Sequence, residues 1–519
     1  MGLSFTCHAL PFQGAELFTG VMLPEETGKF PTILFRCPYV TDEENMTEED
    51  VLQKYAALYT YFLDHGYAFV FQHCRGCGKS TGEFIPFRYE HADGRFLQDW
   101  VRQQPFYNGE LYLYGGSYTS EVHYATAPFA SDIKGAVLEV FDTERYNGNY
   151  RNGFYKAGLH GGWYSIMYKV QSIREKFYTD DSFRMLPLSA YTETAFGEPA
   201  EDFDVVLAHP DRNDPFWSTF TGGSDTRDTA SHANIPILIT TAFYDIFTGG
   251  TFDMWYAMDD ETRAKCAFAI HPYGHAGVAE DEPIRFENAT FNEAFPGYIV
   301  RWFDAIRGKG EYPFPQGKIT WYSLFEDRFC SAEAFDAQNA LTFPLGEGER
   351  TYLYNPYNPA VFKGGLSANF GGNEWQDEPN SRYDILSFFT PEFSEDTFVR
   401  GKIRAKLRVR SDREDTCFYI RLSLVKPEGY YGLRDDIQQI SNFCPEYTPG
   451  EEVELDFVFD EHAFRIQKGE KLRIDISSSA FPFYVPHTNH RGLFSQQTTA
   501  IPAHNTVILH ASAITLPTE

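Results

Sequence analysis

Ser117 stands in the setting that most suggests chemistry. It follows Leu111-Tyr112-Leu113-Tyr114-Gly115-Gly116 and precedes Tyr118-Thr119-Ser120-Glu121-Val122-His123-Tyr124-Ala125. The first run has strand character, the glycines can take backbone angles closed to residues with a Cβ, and a helix is expected after the serine. A serine at such a corner has its hydroxyl lifted clear of the sheet. The next backbone N–H, that of Tyr118, is then aimed where an oxyanion would form. A lone Gly-x-Ser is a common turn, and Thr119 occupies the second glycine position of Gly-x-Ser-x-Gly, so the reading depends on partners.

A serine nucleophile needs a base, and the base needs an orienting acid. The apolar run 235–242 leads into Phe243-Tyr244-Asp245, and the run 266–270 leads into His271-Pro272-Tyr273-Gly274-His275. Both Asp245 and His275 thus fall just beyond expected strand ends, where open α/β sheets place their chemistry. Asp142, Asp253 and Asp259 compete for the acid, and His271 and His123 for the base. His271 lies nearer its strand and reads as structural, while His123 sits on the helix behind Ser117 and is expected to face away. Spacing alone leaves the choice open.

The elements that would carry these residues alternate. Strands are expected over 16–23, 30–36 and 67–71, with helices over 47–66 and 93–104 between them and the corner strand. Thr47 is a suitable N-cap for the first helix, with Glu48, Glu49 and Asp50 in its opening turn. Alternation of this kind specifies a mostly parallel sheet covered by helices. After the strand 137–141 the pattern breaks into an irregular aromatic stretch with helical pieces at 164–177 and 200–208. The sheet then resumes, and a helix over 291–306 closes it. From about residue 346 short alternating runs dominate. The expected fold class is α/β: an α/β-hydrolase sheet over 1–141 and 231–345, a helical cap inserted at 142–230, and an all-β jelly-roll sandwich over 346–519.

The totals exclude several roles. A chain of 519 residues exceeds one core, so about two or three domains are expected. A formal charge of −29 repels phosphate backbones and argues against nucleic acid as a partner. The aromatic share of 17% fits an aromatic pocket as well as large cores. The eight cysteines are scattered; Cys74-Arg75-Gly76-Cys77 has the spacing of half a metal site but no second pair. The glycine-rich 75–84 loop lacks the order of a phosphate-binding loop. No leader is visible and no apolar run approaches the ~20 residues of a membrane span, so the cytoplasm is the default location and no membrane partner is expected.

Several stretches, in order, resemble the cocaine esterase/X-Pro dipeptidyl-peptidase group of α/β-hydrolases. They are Arg36-Cys37-Pro38-Tyr39, Arg75-Gly76-Cys77-Gly78-Lys79-Ser80-Thr81-Gly82-Glu83-Phe84, Gln98-Asp99-Trp100 with Gln104-Pro105-Phe106-Tyr107-Asn108-Gly109, Gly115-Gly116-Ser117-Tyr118, Tyr244-Asp245, Pro272-Tyr273-Gly274-His275, and in the β-rich part Val399-Arg400-Gly401 and Phe481-Pro482. The resemblance implies Ser117 as nucleophile, His275 as base and Asp245 as its orienter, with an oxyanion hole made by the Tyr118 N–H and the Tyr39 hydroxyl. Trp163 and Tyr164 are candidate pocket walls.

The implied activity is hydrolysis of a carboxylic ester, or an amide, in a small molecule, through an acyl-enzyme and with no metal or organic cofactor. A homo-oligomer is compatible with this. Where the group has glycine three residues after the serine, this chain has Ser120. The α-amino acid ester hydrolases of the group carry acids after the catalytic aspartate, where Ile246-Phe247-Thr248 stands here, so that subgroup is disfavoured. Bacterial X-Pro peptidases carry an added N-terminal domain, whereas this chain begins almost at the first sheet strand. The rivals are a peptidase releasing dipeptides after proline, and a non-catalytic binding protein on a hydrolase fold.

Overall fold

The computed structural model describes residues 4–40, 45–167, 182–197, 199–220, 232–277, 282, 284–289, 291, 295–361, 363–366 and 372–519. Its first half is built on a ten-stranded sheet. The strands are β1 (Ser4–Phe12), β2 (Ala15–Leu23), β3 (Phe30–Cys37), β4 (Ala68–His73), β5 (Tyr107–Gly116), β6 (Ile133–Glu139), β9 (Ile237–Tyr244), β10 (Ala267–Gly274), β11 (Ile319–Ser323) and β12 (Arg328–Ala332), ordered β1-β2-β4-β3-β5-β6-β9-β10-β11-β12. A small hairpin, β7 (Tyr150–Arg151) with β8 (Phe154–Tyr155), lies apart from this sheet.

From β4 to β11 every pairing is parallel. β4 and β9 are buried along their whole length, as expected for strands covered on both faces. Parallel pairing sets the C-terminal ends of β3, β5, β9 and β10 along one edge. Gly116 lies opposite Glu139, and Tyr244 opposite Gly274, so the residues that follow them emerge side by side.

The helices α1 (Glu48–Lys54), α2 (Ala56–Asp64), α3 (Glu90–Arg102), α4 (Tyr118–Tyr124) and α5 (Arg145–Asn149) follow in order. Thr47 closes a capping box with Asp50. The single helix expected over 47–66 is broken at Tyr55, whose ring packs on Phe71 with centroids 4.9 Å apart. In α3, Leu97 and Val101 face the core, and Glu90 and Asp93 are also buried. Those carboxylates are paired: Arg36 meets Glu90 at 2.6 Å, and Arg75 meets Asp93 at 2.6 Å while donating to the carbonyls of Phe12 and Gln13. The glycine-rich loop after β4 is therefore a structural tie between the β1–β2 turn and α3. Its Ser80 hydroxyl donates to the His73 carbonyl and accepts from the Phe18 N–H.

Between β6 and β9 a cap packs around Tyr146, Tyr150, Tyr155, Tyr164, Phe203 and Trp217. Its helical pieces are short: Gly162–Met167, Tyr191–Phe196, Glu201–Asp204 and Phe216–Phe220. Most of the helix expected over 164–177 lies outside the described residues. The helix expected over 291–306 is Gly297–Ile306, and part of the segment before it also lies outside them.

The C-terminal part is two antiparallel sheets. A seven-stranded one is centred on the long strand Ala503–Thr518, and a five-stranded one on Cys417–Lys426. Asn339–Pro344 pairs with Ala503–Thr518, so the β-rich unit begins before residue 346. That strand is almost entirely exposed, which erased the apolar alternation that would have marked it.

Helix α4 presses on β5 at Gly115. A Cβ there would sit 2.0 Å from the Thr119 carbonyl oxygen, a backbone atom. We expect Gly115→Ala to destabilise the protein by about 3 kcal/mol, the upper end of overpacking costs, read as a lower denaturation midpoint in urea.

Candidate active site

Ser117 sits between β5 and α4 with φ 57° and ψ −131°, a conformation that costs a residue with a Cβ on the order of 1–3 kcal/mol. The surroundings hold it there. The Ser117 N–H donates to the Glu139 carbonyl at 2.8 Å, and the Ser117 carbonyl accepts from the Ser120 N–H at 2.9 Å. Ser120, which replaces the usual glycine of the corner, fits because its hydroxyl is used: it lies 2.6 Å from the Gly115 carbonyl oxygen and accepts from the Glu139 N–H at 2.8 Å.

Asp245 follows β9 and is fully buried; one carboxylate oxygen accepts from the Phe247 N–H at 2.8 Å, and the other lies 3.2 Å from Nδ1 of His275. A carboxylate only accepts, so Nδ1 carries the proton and Nε2 is left as the acceptor. His275 and Ser117 line the same cavity, of about 270 Å³. Burial lowers the His275 pKa, but the Asp245 charge and hydrogen bond, joined by the charge of Glu121, outweigh it and leave the pKa raised.

Tyr39 follows β3, and its hydroxyl lies 3.5 Å from the Ser117 hydroxyl. The Trp163 indole N–H donates to the same Tyr39 oxygen at 3.2 Å. Indole only donates, so Tyr39 spends an acceptor position on Trp163 and its O–H is free to point toward the serine. Burial pushes the Tyr39 pKa up to about 12, so it remains a neutral donor across the physiological range.

Tyr118 offers its backbone N–H at the first turn of α4, while its side chain is used elsewhere. Its hydroxyl donates to Glu90 at 2.8 Å and accepts from the Phe87 N–H at 2.8 Å. Its ring stacks on Trp163, with centroids 5.7 Å apart. Trp163 and Tyr164 both line the cavity.

The competing residues lie elsewhere. Burial takes His271 down to about 4 and His123 to about 3, and neither lines the cavity. Asp142 accepts from the Glu144 N–H and the Asn147 amide. Asp259 caps the helix Asp260–Arg263, and Asp253 lies 3.6 Å from Lys402. Cys74 and Cys77 are buried among Val40, Tyr118 and Val122. Among the described residues no group of three or more His, Cys, Asp or Glu could hold a metal ion, and no helix is long and apolar enough to cross a membrane.

Sequence reasoning missed a buried ion pair in the cavity wall. Glu121 lies one helical turn after Ser117, and its carboxylate is 2.5 Å from the Arg145 guanidinium; each side chain is 7% exposed. Glu121 was within reach of a periodicity argument, because residues one turn apart share a helix face. Arg145, beyond β6, was not. The wall is otherwise mostly apolar, including Phe87, Leu159, Val206, Trp217, Ile246 and Phe247.

Among the described residues, none of the β-rich domain lines this cavity, but that domain supports its wall and Asp245. Ile246 and Leu159 pack with Cys417, Tyr419 and Ile437. Arg434 donates to the Phe243 carbonyl, the Tyr244 hydroxyl donates to the Gly432 carbonyl at 2.9 Å, and His462 packs edge-on against both aromatic rings. The strand that leads into Asp245 is thus clamped from the second domain.

A parallel sheet with a serine on a strained strand-to-helix corner defines an α/β serine hydrolase. Comparison with known proteins agrees. A family model described as X-Pro dipeptidyl-peptidase (S15 family) matches residues 13–277, and one described as X-Pro dipeptidyl-peptidase C-terminal non-catalytic domain matches residues 276–513. The chain belongs to this S15, cocaine esterase-like family of serine hydrolases. Cocaine esterase from Rhodococcus sp. (strain MB1 Bresler) is 24% identical over 97% of this chain and 96% of its own length. Among solved structures, an α-amino acid ester hydrolase (TM-score 0.81, 16% identity, 100% of this chain and 97% of that one) shares the fold. So does an aminopeptidase from a marine sediment archaeon, Thaumarchaeota archaeon (TM-score 0.80, 16% identity, 100% and 96%).

Three outcomes follow from this geometry. Tyr39→Phe removes the side-chain donor beside Ser117 and is expected to lower kcat by about 10²–10³-fold with little change in KM, measured by steady-state hydrolysis. With His275 as the base for Ser117, its protonated form could not take the serine proton, and activity would be lost as pH falls through its pKa. Because that pKa is raised, the acid limb of kcat/KM should lie above the ordinary imidazole value of about 6.5. Glu121→Gln removes a charge that raises it and should move the limb to lower pH.

Proposed function

We propose that the enzyme hydrolyses carboxylic esters through an acyl-enzyme, with Ser117 as nucleophile, His275 as base and Asp245 as its orienter. The observation that carries this reading is the His275–Asp245 contact, which leaves Nε2 of a half-buried imidazole as the acceptor in the cavity that His275 lines with Ser117. His275 takes the serine proton as the oxygen attacks the carbonyl. The oxyanion is held by the Tyr118 N–H and the Tyr39 hydroxyl, the latter oriented by Trp163. His275 then returns the proton to the leaving alcohol, and water repeats the cycle on the acyl-enzyme. The positive φ of Ser117 supports this role, since strain of this kind collects at functional sites.

An amide is the secondary substrate in this reading. A peptidase releasing dipeptides after proline needs a carboxylate for the substrate's free N-terminus. In the cavity the carboxylate of Glu121 is already paired with Arg145, and Ile246 and Phe247 follow Asp245. The relative's name, cocaine esterase, also supports an ester.

The test is steady-state hydrolysis of p-nitrophenyl esters and a proline-dipeptide anilide by the wild type and by Ser117→Ala. We expect the esters to be cleaved and Ser117→Ala to lower kcat by roughly 10⁶-fold. Cleavage of the anilide alone would select the peptidase. No turnover, with no labelling of Ser117 by a fluorophosphonate, would select the non-catalytic reading.

A further inference from the structure

The Glu121–Arg145 pair has no part in the proton transfers above, yet both residues face the substrate cavity. Arg145 cannot swing toward a ligand, because it is held on three sides. One nitrogen meets Glu121 at 2.5 Å, another donates to the Asp142 carbonyl at 2.9 Å, and the guanidinium lies 3.9 Å from the centroid of the Phe87 ring. Its backbone is fixed as well, by a 2.7 Å bond from the Asn149 amide to the Arg145 carbonyl. Glu121 is fixed in turn by its place on the helix that begins beside Ser117. The polar corner of the cavity is thus a closed pair, neutral in sum, set among Phe87, Trp163, Val206 and Trp217.

A substrate group entering this corner loses its water. If it carries a charge, it meets both members of the pair at once. The attraction of one is offset by the repulsion of the other, and the dehydration cost is left uncompensated. An uncharged acyl group loses little hydration and gains apolar contact. Resting on the ester-hydrolase reading, we propose that Glu121 and Arg145 together are specificity-determining residues that restrict the cavity to uncharged acyl groups. Neither residue serves as the receptor for a substrate carboxylate or ammonium. Rejection through mutually cancelling charges is specificity by exclusion rather than by added contacts.

The experiment compares kcat/KM for the p-nitrophenyl esters of three acyl chains of similar length: hexanoyl, the hemiadipyl monoester with its free carboxylate, and 6-aminohexanoyl with its ammonium. For the wild type we expect the hexanoyl ester to exceed each charged ester by at least about tenfold. Glu121→Gln leaves Arg145 uncompensated and is expected to raise hemiadipyl relative to hexanoyl turnover by about tenfold. Arg145→Met leaves Glu121 uncompensated and is expected to raise 6-aminohexanoyl turnover instead. Loss of stability lowers all three rates together, so only the change in ratio reports selection.

Equal wild-type rates for the three esters would overturn the proposal. So would single variants that shift both charged esters in the same direction. If the hexanoyl ester itself is not cleaved by the wild type, the ester-hydrolase reading fails instead, and the two failures are thereby distinguished.

Discussion

The positive φ of Ser117 is the constraint on which the rest of this site depends. A residue with a side chain keeps that conformation only when its neighbours leave no alternative. Here Gly115 lets α4 approach the strand to a distance no Cβ would permit, and the Ser120 hydroxyl joins the Gly115 carbonyl to the Glu139 N–H across the β5–β6 pair. Strand, corner and helix are thereby locked to the next strand. The serine oxygen, the Tyr118 N–H and the Glu121 carboxylate then follow as three consequences of one backbone geometry, because all lie at or within a turn of the corner.

Around that corner the molecule divides the work. Parallel pairing brings the ends of β3, β5, β9 and β10 to one edge. The cap supplies Trp163, which orients Tyr39 and stacks on Tyr118. Among its described residues the β-rich domain stays outside the cavity and grips the backbone on either side of Asp245: Arg434 and His462 hold Phe243 and Tyr244, while Tyr419 and Ile437 stand behind Ile246. Arg151 ties the cap to the same domain through Asp436, Asp460 and the Val458 carbonyl.

Much of this was legible in the sequence where local pattern and tertiary role coincide. The strands before Ser117, Asp245 and His275 read as apolar runs because their C-terminal halves are buried on both faces. What was not legible depends on distant chain. β1 escaped notice because its turn is Gln13-Gly14, with both residues at positive φ, a poorer signal than the usual Asn-Gly. The break at Tyr55 answers to Phe71, a residue of another element. The Glu121–Arg145 pair and the Trp163–Tyr39 bond each join chain segments that only the fold makes neighbours. Such contacts have no period and no fixed spacing to read.

The apolar interior runs without interruption from Leu113 and Ile239 in the first sheet, through Phe243, Tyr244 and Phe335, to Tyr431, Phe464 and Leu516 in the second domain. A boundary drawn along the sequence therefore crosses a continuous hydrophobic body. Cutting the chain there would expose apolar surface on both pieces and remove the clamp on Phe243 from the piece that carries the serine. The two sequence modules thus share one hydrophobic interior, and the β-rich half braces the hydrolase half as a keel braces a hull.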